Sequence, residues 1–160
     1  MPSDHSYRFS FGPWNISEGA DPFGPDSREL FPHADKFALY RKLGFDGVQF
    51  HDDDVVPDLD EKSPDQLSRV AHEMKAQLDG EGLQPEFVAP RLWFAAETVD
   101  GGYTANAASD RDYAWTRTRK AIEIANILGC KGLVLWLARE GTYIREAKNA
   151  QVAYQRILDT

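Results

Sequence analysis

Residues 47–54 read Gly47-Val48-Gln49-Phe50-His51-Asp52-Asp53-Asp54, a short apolar run that ends directly in a histidine and three carboxylates. A run of this length is what a strand of a buried parallel sheet looks like, and the polar block falls where such strands present their ligand-binding ends. Three more short runs flank it, at residues 9–16, 86–89 and 132–137. Between them lie longer stretches of helical period. Phe37, Tyr40 and Leu43 mark a helix over 34–43 with Gly44 as its left-handed stop. Ser63-Pro64 opens a second helix, Leu67, Val70, Ala71, Met74 and Leu78 form its buried stripe, and Glu81-Gly82 closes it. A third is expected over 111–128, capped by Ser109 or Asp110 and ended by Gly129, with Trp115, Ile122, Ala125 and Ile127 or Leu128 inward. A fourth covers 147–158.

Strand and helix thus alternate four times, the pattern of βα units in an α/β fold. A full (β/α)₈ barrel needs eight strands and about 250 residues. Four strands in 160 residues predict a single domain, 1–160, that is the first half of a TIM barrel, truncated before strands five to eight. An open four-stranded sheet would leave apolar edge strands unpaired.

Composition narrows the partners. The formal charge is -8 with no cluster of Lys or Arg, which argues against nucleic acid and anionic membrane. A small polar ligand fits better. Residues 1–10 lack the apolar core of a secretory signal, and no stretch is long enough to span a membrane, so a cytoplasmic location is expected. Cys130 is the only cysteine, which excludes an internal disulfide and a multi-thiolate metal site and reads as a small core residue. Gly101-Gly102 matches neither the dinucleotide nor the Walker pattern.

The strand ends nominate His51 with Asp54, Trp14, Trp93 or Phe94, and Trp136. A carboxylate on one imidazole nitrogen fixes the tautomer of the other, the arrangement of a proton-handling histidine. The same block also reads as an acidic loop around a structural histidine. At least one of the three aspartates must face solvent or a cation, because adjacent carboxylates repel. Aromatic rings at three strand ends could wall a sugar site, or simply belong to the core. Arg139-Glu140 reads as an inward ion pair or a solvated turn, and His5, His33 and His72 as structural or surface residues.

Five blocks lie in register with a known family: Phe11-Gly12-Pro13-Trp14, Asp21-Pro22-Phe23-Gly24, residues 47–54 with Pro57, Asp100-Gly101-Gly102-Tyr103-Thr104-Ala105-Asn106, and Trp136 with Arg139-Glu140-Gly141. In order and spacing they resemble the first half of the shorter-chain xylose isomerases. The resemblance implies an aldose–ketose isomerase interconverting D-xylose and D-xylulose, and D-glucose and D-fructose, by ring opening and a metal-assisted hydride shift. It implies that His51 bonds the sugar ring oxygen, that Asp54 orients it, and that Trp14, Trp93 and Trp136 line the pocket. Phe23 would reach into a neighbouring subunit of a homotetramer. Two divalent cations, Mg²⁺ or Mn²⁺ or Co²⁺, are implied, with their ligands on strands five to eight and none within this chain, so the isolated chain is expected to be inactive. Arg91 stands where the family usually has asparagine, and Leu137-Ala138 where it has two glycines. A non-catalytic half-barrel assembly module and another divalent-metal barrel of the sugar epimerase type are the alternative readings.

Overall fold

A computed structural model describes residues 7–19, 23–140 and 147–159. Its elements run β1 (Ser10–Phe11), α1 (His33–Leu43), β2 (Gly47–His51), α2 (Asp52–Val55), α3 (Pro64–Glu81), β3 (Gln84–Ala89), α4 (Ala108–Leu128), β4 (Gly132–Leu133) and α5 (Ala150–Leu158). The four strands form one sheet in the order β1-β2-β3-β4, every pair parallel. Ser10 lies opposite Gly47, Gly47 opposite Gln84, and Phe87 opposite Gly132.

Phe37 and Tyr40 of α1, Leu67, Ala71 and Leu78 of α3, and Ala121, Ile124 and Leu128 of α4 bury together against Val48, Phe50 and Val88 of the sheet. Among the described residues, the helices α1, α3 and α4 thus pack on one and the same face of the sheet. Strands added in sequence order with all crossover helices on one side wind as a barrel does, whereas a doubly wound sheet places helices on both faces. The chain is an α/β protein of four parallel βα units, consistent with part of a TIM barrel. On the uncovered face Gln49 donates to Ser10 and Glu86 at 2.9 Å, and Ser10 also donates to Glu86, a polar row where a barrel keeps its interior.

Local sequence rules account for the helix ends. Ser63 accepts from the Gln66 backbone, and Gln66 Oε1 accepts from the Ser63 backbone, a complete capping box with Pro64 at the first helical position. Gly44 and Gly82 end α1 and α3 at φ 85° and 66°, the left-handed conformation that glycine adopts without penalty. No helix among the described residues is long and apolar enough to cross a membrane.

Three expectations need correction. The run 9–16 is a strand only at Ser10–Phe11, because Pro13 starts a 3₁₀ turn over Pro13–Asn15. The run 132–137 is a strand only at Gly132–Leu133, although the Val134 backbone still donates to Val88 at 3.0 Å. The inner face of α4 carries Ala114, Arg117, Thr118, Ala121, Ile124, Ala125 and Leu128 rather than Trp115 and Ile122, and its N-cap Ala107 makes no side-chain bond. Arg117 and Thr118 belong to the buried stripe because polar partners wait for them, which an apolar pattern does not register.

Candidate functional site

β2 delivers its last residue, His51, to the open end of the sheet, and the chain turns at once into α2. Asp54 folds back within that turn. Its Oδ2 accepts from the His51 backbone at 2.9 Å and lies 3.1 Å from His51 Nδ1. Two aromatic rings flank the imidazole, Trp14 with its centroid at 4.3 Å and Trp93 at 5.1 Å, edge to face. Trp136 follows at 6.5 Å from Trp93. His51 and the indoles of Trp14, Trp93 and Trp136, read from four separate strand ends, thus meet in one place.

Trp14 and Trp93 sit in 3₁₀ turns rather than on strands. Gly12 makes the first of these possible, since a Cβ there would lie 2.3 Å from the Trp14 ring. Phe94 is exposed and offers its ring to the Arg91 guanidinium at 5.7 Å. The rings bound a cleft of about 880 Å³, which also takes in His33, Lys36, Gln49, Asp53, Asp54, Arg91 and Val134. This volume is in the range of small-molecule sites.

The expected cation facing the aspartates is two guanidiniums. Asp52 is fully buried and holds Arg117 through two bonds, from Nε at 2.6 Å and Nη2 at 3.0 Å, while also accepting from the backbone of Asp53 and Arg91. Arg117 reaches on to Asp60 at 2.9 Å. Arg91 lies 2.7 Å from Asp54 and 3.0 Å from Asp53, the latter contact too poorly aligned to be a hydrogen bond. Burial and the neighbouring Asp52 push the Asp53 carboxyl up, against the pull of Arg91. Burial would raise Asp54 as well, but the close approach of the His51 side chain, the hydrogen bond from the His51 backbone and the Arg91 charge hold it below the usual carboxylate range. Burial and the Asp54 charge push the Tyr40 hydroxyl, buried without a hydrogen-bond partner among the described residues, up to about 12.

Arg91 and Arg117 are the residues that sequence reasoning missed. In the sequence Arg91 stands out only as a departure from a family pattern. The signal for Arg117 is its helical spacing from Ala114 and Ala121, which puts a charge on a buried face. Arg139-Glu140 is neither an inward ion pair nor a solvated turn. The Glu140 carboxylate accepts from the backbone N–H of Gly102, Tyr103 and Thr104 at 2.8–3.1 Å and from the Thr104 hydroxyl at 2.7 Å, while Arg139 donates to the Trp93 carbonyl at 3.3 Å. Successive N–H groups that converge in this way form an anion-binding nest.

His33 opens α1, stacks on Phe37 at 5.7 Å and reaches the cleft wall. His72 is exposed and bonds the Ser68 carbonyl. Phe23 is 96% exposed and does not line the cleft. Asp21-Pro22, Gly141 and His5 lie outside the described residues. Among the described residues no group of three or more His, Cys, Asp or Glu is arranged to hold a metal ion. Asp52, Asp53 and Asp54 do not fit a cation site, because each is already in ion-pair contact with a guanidinium.

No known family model matches the chain. Among solved structures it is similar to the apo form of 3-keto-D-glucoside 4-epimerase from E. coli, with a TM-score of 0.56 and 17% sequence identity. The match covers 82% of this chain and 46% of that one, so the chain spans just under half the length of that structure. At this identity the likeness is one of fold alone, and it agrees with four βα units wound as part of a barrel.

Proposed function

We propose that the chain forms the sugar-holding side of a cytoplasmic aldose–ketose isomerase that interconverts D-xylose and D-xylulose, and D-glucose and D-fructose. One observation carries this reading: an imidazole flanked by two indoles, with a carboxylate and a guanidinium on its Nδ1 side, at the mouth of parallel strands. Indole faces pack against the C–H face of a pyranose and keep water from its carbons. His51, anchored through Nδ1, offers Nε2 to a sugar oxygen. Trp93 and Trp136 wall the side of the cleft where C1 and C2 would lie.

In this proposal residues 1–160 are the N-terminal half of the barrel, Phe23 contacts a neighbouring subunit of a tetramer, and divalent cations such as magnesium bind through residues outside this chain. A second reading, a sugar epimerase, is favoured by the function named for the similar structure, and it would use the same hold on the ring.

Fluorescence titration tests the proposal. With Trp115, which lies outside the cleft, replaced by phenylalanine, the remaining indoles should respond saturably to D-xylose and D-glucose, and Trp14→Phe should remove most of the response. No saturable response to any aldose or ketose would overturn the reading. A response confined to glucosides would favour the epimerase.

A further inference from the structure

Two residues compete for one atom. Nδ1 of His51 lies 3.1 Å from Asp54 Oδ2 and 2.6 Å from Nη2 of Arg91. A bond to the carboxylate requires a proton on Nδ1, whereas a bond from the guanidinium requires a bare lone pair there. Guanidinium nitrogens carry donors only, so an approach of 2.6 Å is attractive in one state of the ring alone. Asp54 has no need of the imidazole proton, because Oδ2 accepts from the His51 backbone at 2.9 Å and Oδ1 accepts from the same Arg91 nitrogen at 2.7 Å. The two hydrogens of Nη2 are then both used, one on Asp54 and one on His51.

We propose that Arg91 is a positioning residue that fixes His51 as its Nε2–H tautomer, so that the nitrogen offered to the cleft is a hydrogen-bond donor and not a base. Arg91 is itself held in place: its backbone donates to buried Asp52 at 3.0 Å, its Nε lies 3.0 Å from Asp53, and its guanidinium rests on the Phe94 ring. The two rings against His51, Trp14 and Trp93, offer the imidazole no competing acceptor of comparable strength. A donor at Nε2 selects an oxygen that has lone pairs and no need to donate, which is the ring oxygen of a pyranose or the carbonyl oxygen of an open-chain sugar. Removal of a hydroxyl proton then falls to a different group. The ligand part of this inference rests on the proposed sugar site; the tautomer does not.

Nitrogen NMR of the chain labelled with ¹⁵N-histidine, recorded at rising pH until the His51 resonances stop moving, decides the matter. His51→Gln identifies the resonances. In the wild-type chain His51 should show an unprotonated Nδ1 and a protonated Nε2, and Arg91→Met should move the proton to Nδ1, where Asp54 accepts it. A protonated Nδ1 in the wild-type chain overturns the proposal, as does an unchanged tautomer in folded Arg91→Met. Glutamine reproduces an Nε2–H donor and asparagine an Nδ1–H donor, so His51→Gln should retain sugar binding and His51→Asn should lose it. Loss of all sugar binding in the wild-type chain with the expected NMR tautomer would sink the sugar site and leave the tautomer standing.

Discussion

Replacing Arg117 by methionine keeps most of the side-chain volume and strips the charge from its pairing with Asp52. Asp52 is 0% exposed, and Arg117 is 6% exposed, so neither group has water to fall back on. After the change the carboxylate keeps two backbone donors, Asp53 at 2.9 Å and Arg91 at 3.0 Å, and loses both guanidinium bonds. Breaking a buried pair by removing one partner costs about 3–5 kcal/mol. The two surviving donors place the cost near the lower figure, about 3 kcal/mol, a factor of about 100 in the folding equilibrium. Urea denaturation followed by circular dichroism should show a lower midpoint at an unchanged slope. The double variant Asp52→Asn with Arg117→Met removes the stranded charge, while the amide oxygen it introduces can still accept from the same two N–H groups, so it should recover at least half of the loss. A single-variant cost below about 1 kcal/mol, or a double variant no more stable than the single, would refute the buried-charge account.

Gly12→Ala drives a methyl into the Trp14 ring, so it should shift Trp14 emission and cost about 1–3 kcal/mol in the same denaturation assay. Asp54 has a lowered folded pKa, so the stability it contributes is full above the ordinary carboxylate value of about 4 and is lost as pH falls through the folded one. A stability profile on the acid side should therefore flatten in Asp54→Asn; an unchanged acid limb would contradict the assignment. Burial pushes the Cys130 thiol up to about 11, so alkylation at about pH 8 should be slow in the native chain and complete in denaturant.

Much of the fold is legible because local signals agree with tertiary placement. Ser63-Pro64, the stripe from Leu67 to Leu78 and the Gly82 stop describe one helix from three independent directions, and the structure bounds it at Pro64–Glu81. The run 132–137 is misleading because apolar composition does not reveal where pairing stops. The strand stops at Leu133, Val134 adds one last backbone bond to Val88, and Leu135, Trp136 and Leu137 are exposed on the open side. At the site, the alternation of strand and loop brings His51 and three indoles to the same mouth, since parallel strands end on one side. Arg91 and Arg117 stay hidden for a physical reason. Their meaning lies in distances to carboxylates 37 to 65 positions away, which no local period encodes.

Glu140 binds a loop that follows β3 to one that follows β4, with a single side chain saturating three consecutive peptide N–H groups. The two segments consequently share a fate: a displacement of residues 102–104 is transmitted to the stretch that carries Trp136. A cross-link of this kind trades loop mobility for a fixed aromatic wall. Position 102 is closed to larger side chains as a result, because a Cβ there would come within 2.9 Å of the carboxylate it serves.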